Sequence, residues 1–143
     1  MPARNFRVGR SNTGLGLFAV TKITRRTTVV VYYGRLISNE EADRRERWYN
    51  SRYMFELDKH WTIDGSSRRN LGRYVNHSCD PNAEAVRREK RIVFVASRTI
   101  QPGEEITVDY GKEYFDHFLK KPGCRCTSCG KKKKRRKRAK RRV

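Results

Sequence analysis

The sequence has no long apolar stretch. Its purely apolar runs do not exceed the five residues 29–33, VVVYY. A membrane helix needs roughly 20, so no membrane partner is expected. The N-terminus, MPARNFRVGR, has no apolar h-region, so a recognisable secretory signal is not expected either. There is no internal repeat. Strand patterns do not alternate with helical ones, which argues against a parallel doubly wound sheet. Acid is scarce. The 143 residues carry 35 Lys and Arg against 15 Asp and Glu, a net charge of +20 at pH 7. Residues 131–143, KKKKRRKRAKRRV, contain no acid at all and hold 11 of the basic residues.

What remains is an ordinary body. Without that tail the net charge falls to +9, and residues 1–130 are about 45% apolar when glycine is included, within the globular range. One core of domain size is therefore possible. The tail has no apolar periodicity, and like-charge blocks of this kind repel and stay disordered. The body reads as short strands: 6–8 and 17–20 around a glycine-rich turn, TGLG, then the β-branched and aromatic run 28–33. A helix is expected over 39–48, with Ser38 as cap and Glu41 completing a capping box. Two hairpins follow, 53–57 with 61–64 and 83–86 with 91–97. A Pro102–Gly103 turn leads to a strand at 105–109, and a short helix is expected at 113–119. The class is mainly β with short helices, α+β.

Cysteine is sparse but uneven. Cys124, Cys126 and Cys129 crowd into CRCTSC, and Cys79 stands far upstream. Four thiolates are the full complement of a structural zinc site. Disulfides and unconnected thiols are the other readings, because a remote cysteine need not lie near the cluster. Disulfides also require an oxidising compartment, for which there is no signal.

The densest polar stretch is GRYVNHSCDPN, residues 72–82. Its turn-forming residues suit an elaborate loop, and loops on a strand scaffold are where binding groups concentrate. Singly, His77 fits a satisfied structural histidine and Tyr110 a half-buried strand tyrosine. The GLG at 14–16 lacks the six-residue phosphate fingerprint. In order, however, the chain shows TGLGLFA, VVYYGRLIS, YMFEL, GRYVNHSCDPN, QPGEEITVDYG and CRCTSC. This ordered set resembles the SET-domain protein lysine methyltransferases over about residues 6–130.

The resemblance implies a β-clip-like fold of small sheets, with a pseudoknot near the active site and a zinc-bound C-terminal segment. It divides the chain into a SET domain at 1–111, a post-SET segment at 112–130 and a basic tail at 131–143. It implies S-adenosylmethionine as cofactor, approached by Gly14, Leu15 and Gly16 and held by Arg73, Asn76 and His77, with Tyr53 and Phe115 beside it. Tyr110 matches the catalytic tyrosine. Tyr32 and Tyr114 match aromatics lining a channel for the target lysine. Cys79 with Cys124, Cys126 and Cys129 matches the set that binds one structural Zn2+.

The substrate implied is a lysine-containing protein, histone-like or otherwise associated with nucleic acid. Val108 stands where Tyr or Phe is common two residues before the catalytic tyrosine, which leaves the methyl count open. A basic zinc protein that binds nucleic acid without catalysis is the competing reading. The tail suits phosphate contact or nuclear import. The location expected is the nucleus or chromatin in a eukaryotic or host-targeted setting, and the cytoplasm or nucleoid in a bacterium. Because a basic enzyme repels a basic substrate, either acids such as Glu56, Asp58, Glu104 and Glu105 form a docking face or nucleic acid bridges the two.

Overall fold

The structure, a computed structural model, describes residues 5–49, 52–111 and 129. Chain order is β1 (Phe6–Ser11), β2 (Gly14–Ala19), β3 (Thr28–Tyr32), β4 (Arg35–Ser38), α1 (Asn39–Tyr49), β5 (Met54–Glu56) and β6 (Trp61–Asp64). A 3-10 turn (Leu71–Tyr74) follows, then β7 (Asn76–His77), β8 (Ala83–Arg88), β9 (Arg91–Ala96) and β10 (Glu105–Val108). The strands make three small sheets, ordered β1-β2-β10-β7, β3-β9-β8 and β4-β6-β5. The expected class holds: mostly strands, small sheets and one short helix. Among the described residues no helix is long and apolar enough to cross a membrane.

The elements follow local chemistry. In β9 the residues Ile92 to Ala96 are all buried, because this strand lies between β3 and β8 and both its faces meet protein. Such a strand reads as a continuous apolar run rather than an alternating one. In α1 the Glu41 amide donates to Ser38 Oγ at 3.2 Å, so Ser38 caps as expected. The reciprocal half of the box is not made. The Glu41 carboxylate instead pairs with Arg44 at 2.7 Å and Arg45 at 3.0 Å. Arg45 also reaches Asp64 on β6, which ties the helix to the sheet it covers. The turn between β5 and β6 is held by the Asp58 carboxylate, which accepts from the His60 and Trp61 amides at 2.8 and 2.9 Å. Those two bonds lower the Asp58 pKa from its usual carboxylate value.

The glycine-rich turn differs from expectation. The hairpin reverses at Asn12 and Thr13, with Ser11 paired to Gly14, so Gly14-Leu15-Gly16 belongs to strand β2 itself. The Thr13 amide donates to Ser11 Oγ at 3.2 Å, closing the reversal one step earlier than the glycines suggest. Two short elements carried no sequence signal. β4 has only four residues beside the helix start, and β7 has two. Both exist because a partner strand elsewhere in the chain offers hydrogen bonds. The helix expected at 113–119 lies outside the described residues.

The core gathers Leu17, Val75, Ile92, Phe94, Ile100, Ile106 and Val108, each 1% exposed or less. Buried amides stitch the irregular stretches around it. Asn70, 1% exposed, accepts from the Tyr33 amide at 2.9 Å and donates to the Gly65 carbonyl at 3.0 Å. Replacing it with alanine leaves both main-chain groups without that partner. Asn70→Ala is expected to lower the unfolding free energy by about 2–4 kcal/mol, read as a fall in the urea midpoint. An unchanged midpoint would show that neither bond matters to stability.

Candidate active site

The parallel pairing of β7 with β10 builds the site. Thr107 aligns with Asn76, and Val108 with His77. This brings the 73–82 stretch against the strand that leads to Tyr110. Asn82, 3% exposed, locks the arrangement by donating to the Glu105 carbonyl at 2.8 Å and accepting from the Thr107 amide at 2.9 Å. Asn82 was not singled out from the sequence. Its only sign there is an asparagine closing a turn-rich loop.

His77 is committed within the protein. Its Nδ1 accepts from the Tyr110 amide at 3.1 Å, and its Nε2 lies 3.5 Å from Cys79 Sγ. An Nδ1 that accepts from an amide carries no proton. Burial pushes the imidazole pKa down, partly offset by Asp109 nearby, which agrees with a neutral ring. The side chain therefore aligns Tyr110 and Cys79. The Tyr110 hydroxyl donates to the Val75 carbonyl through a short bond. A phenol oxygen that gives its proton away keeps acceptor capacity.

Tyr110 lines a cavity of about 560 Å3, together with Tyr32, Tyr53, Arg73 and the Asn39–Asp43–Glu46 face of α1. The Arg73 guanidinium sits 4.2 Å from the Tyr53 ring centroid and 5.5 Å from that of Tyr74. Its Nη1 donates to the Ser66 carbonyl at 2.6 Å. Among the described residues its Nε is a buried donor with no hydrogen-bond partner. Such a donor is costly to leave unpaired, and a stacked planar fork is suited to a carboxylate. Tyr32 forms the floor. It is 7% exposed, its ring packs 5.2 Å from Phe55 and 5.8 Å from Phe94, and its hydroxyl donates to the Tyr53 carbonyl at 2.7 Å. It thus contributes ring surface to the cavity while its hydroxyl is bound by protein.

Gly14 and Gly16 are glycines for different reasons. Gly14 has φ +116, and a Cβ there would meet nothing within 4 Å, so conformation demands glycine and the space beside it stays open. Gly16 is buried, and a Cβ there would collide with the Glu105 carboxylate and crowd Asn76 Nδ2 at 3.2 Å. The room that a side chain on Gly16 would need is therefore filled by the protein's own side chains. Leu15 between them is 53% exposed, and its carbonyl accepts from Asn76 Nδ2 at 2.9 Å.

Val108, 1% exposed, lies in the core and not on the cavity wall. Cys79 Sγ and Cys129 Sγ are 3.6 Å apart. That is too long for a disulfide, at about 2.05 Å, and close to the edge of a tetrahedron with metal–sulfur bonds of about 2.3 Å, near 3.8 Å. Among the described residues no group of three or more ligands forms. Cys124, Cys126, Tyr114 and Phe115 lie outside the described residues.

The four acids named as one possible docking face belong to segments of two different sheets. Glu56 and Asp58 belong to the β5–β6 hairpin, whereas Glu104 and Glu105 sit at the start of β10 in another sheet. Asp58 and Glu105 are already held by protein donors. The cavity has acids of its own, Asp43, Glu46 and Glu56, faced by Arg52, Arg73 and Arg87.

With this geometry in place, comparison with known proteins is specific. The SET domain pattern matches residues 14–111. The chain belongs to the SET-domain family. Human histone-lysine N-methyltransferase 2D is 40% identical over 121 residues, which is 79% of this chain and 2% of that protein. Drosophila melanogaster histone-lysine N-methyltransferase Set2 is 38% identical over 137 residues, 90% of this chain and 6% of that protein. Caenorhabditis elegans histone-lysine N-methyltransferase set-2 is 41% identical over 106 residues, 68% and 7%. The chain thus spans only 2% to 7% of the length of these relatives.

The SET domain's glycine strand offers a direct check. Gly16→Ala is expected to displace Glu105 and Asn76 and to lower stability by about 1–3 kcal/mol, as overpacking does. Thermal unfolding of Gly16→Ala beside wild type measures it. Equal stability would mean that the neighbouring side chains give way without cost.

Proposed function

We propose that the chain is an S-adenosylmethionine-dependent protein-lysine N-methyltransferase acting on a histone or another basic protein associated with nucleic acid. What carries the reading is that Arg73 and Tyr110 line one cavity in a chain of the SET-domain family. The unpaired Arg73 Nε supports a carboxylate-bearing ligand, so the residues fit the amino-acid arm of the cofactor. Arg73 and Tyr53 hold that arm, Asn76 and the Gly14–Gly16 strand flank it, and His77 and Phe115 belong to the adenine side. S-adenosylmethionine, when bound, supplies an electrophilic methyl group on a cationic sulfur.

The chain's own part is to deliver a neutral amine. Free lysine has a pKa near 10.4, so little of it is neutral at pH 7. A channel walled by Tyr32, Tyr110 and Tyr114 disfavours the ammonium by desolvation while accepting the apolar stem. The Tyr110 oxygen, with its proton given to Val75, accepts from the amine and aligns its lone pair. In-line positioning then lowers the barrier by several kcal/mol without a strong base.

Cys79, Cys124, Cys126 and Cys129 hold one structural zinc in this reading, supported by the Cys79–Cys129 spacing. With four thiolates it has no open position and takes no part in the chemistry. The pseudoknot, the post-SET segment at 112–130 and the tail at 131–143 complete the assignment. The tail meets nucleic-acid phosphates or directs import, which suits a nuclear or chromatin location in a eukaryotic cell.

Incubation with labelled S-adenosylmethionine and histones, read by mass spectrometry, should give labelled lysine. No transfer to any lysine substrate from protein that binds the cofactor would reject the enzyme. Tyr110→Phe is expected to cut turnover about tenfold to a hundredfold, the cost of one positioned hydrogen bond, with S-adenosylhomocysteine affinity nearly unchanged. Equal loss of both would remove Tyr110 from the chemistry. Metal analysis should find one zinc per chain, and Cys79→Ser should lose it and melt earlier. Purified protein without zinc and with four titratable thiols would rule the metal out.

A further inference from the structure

We infer that Glu105 is a positioning residue for the cofactor's amino group, acting through Asn76; this rests on the reading above. Asn76 Nδ2 donates to the Leu15 carbonyl at 2.9 Å and to Glu105 Oε1 at 2.8 Å, with Ser11 Oγ at 3.1 Å. A main-chain carbonyl and a carboxylate can only accept. Together they decide which end of the amide turns inward. The NH2 faces the glycine strand, and Oδ1 faces away. Asn76 Oδ1 is not among the buried unpaired atoms, and no donor reaches it among the described residues. Asn76 therefore presents an open acceptor, complementary to an ammonium and mismatched to a carboxylate.

Glu105 is held for this task. It starts β10 opposite Phe18 of β2, its carbonyl accepts from the buried Asn82, and its side chain occupies the space that a Cβ on Gly16 would take. Without its carboxylate, only the Leu15 carbonyl and a hydroxyl that can also donate remain to orient the amide. The flipped form, with NH2 outward, then competes. The carboxylate thus converts an ambiguous amide into a one-way acceptor and splits recognition between two residues, Arg73 for the negative group and Asn76 for the positive one.

The test compares two ligands by isothermal titration of the full chain. S-adenosylhomocysteine carries the amino-acid arm. Methylthioadenosine shares the adenosine and sulfur but has no such arm. Glu105→Ala is expected to weaken S-adenosylhomocysteine about tenfold, the scale of one hydrogen bond to a charged group, and to leave methylthioadenosine unchanged. Glu105→Gln retains an acceptor for Asn76 and should bind S-adenosylhomocysteine within about threefold of wild type. The inference is overturned if Glu105→Ala weakens both ligands alike, if it weakens neither, or if Glu105→Gln loses as much as Glu105→Ala. If Glu105→Ala does not fold, Glu105→Ser, whose side chain ends short of Asn76, is titrated with the same outcomes. Wild-type protein that binds neither ligand would instead overturn the functional reading itself, and the inference with it.

Discussion

Two residues of parallel strand pairing hold this site together. Asn76 and His77 lie beside Thr107 and Val108, and Tyr110, Asn76 and His77 take their positions from that seam. The Tyr110 amide docks on His77, 33 positions earlier in the chain. The Tyr110 hydroxyl docks on Val75 at the end of the 3-10 turn that carries Arg73. Asn76 reaches across to the glycine strand. A pairing of only two residues is too short to be stable by itself. It persists because Val75, Ile106 and Val108, all essentially buried, pack into the core on either side of it.

Asparagine side chains carry much of the remaining order. Asn70 and Asn82 each combine donor and acceptor work where the main chain leaves regular structure, and Asn76 donates to three acceptors. An amide can satisfy a carbonyl and an amide group at once, which suits places where a sheet ladder has run out. Against that nearly complete pairing, two polar groups stand out: the buried Nε of Arg73 and the outward Oδ1 of Asn76. One is a donor and one an acceptor, as a zwitterionic ligand arm would require.

Charge is arranged at two scales. The chain as a whole is strongly basic, with the excess concentrated at 131–143. The cavity is mixed, with Asp43, Glu46 and Glu56 facing Arg52, Arg73 and Arg87. A strongly basic chain repels basic partners at long range, while acidic side chains line the cavity itself. Glu46 and Asp43 reach it because α1 turns one polar face inward, so this acidic lining depends on helix orientation and not on any motif.

The sequence by itself determined the class, most strand positions, the capped helix and, through the ordered motifs, the family. These are local or pattern-borne properties: β-branched and aromatic runs such as 92–95, a Ser38 cap, a glycine pair, and a rare string such as NHSCDPN. Of the residues it named for the site, Arg73, Tyr53, Tyr32 and Tyr110 meet at one cavity, whereas Gly14, Leu15, Gly16, Asn76 and His77 do not line it. Tertiary structure decided what each polar atom faces. The two glycines look equivalent in sequence, yet Gly14 is set by its positive φ and Gly16 by the Glu105 side chain pressed against it. Val108 stands two residues before Tyr110 in sequence, yet it lies in the core. Glu105 reads in sequence as one acid of a polar turn, yet it holds Asn76. For Gly16 and Glu105 the deciding partner is distant in the chain, and only the closing of β2 and β7 onto β10 brings the two together.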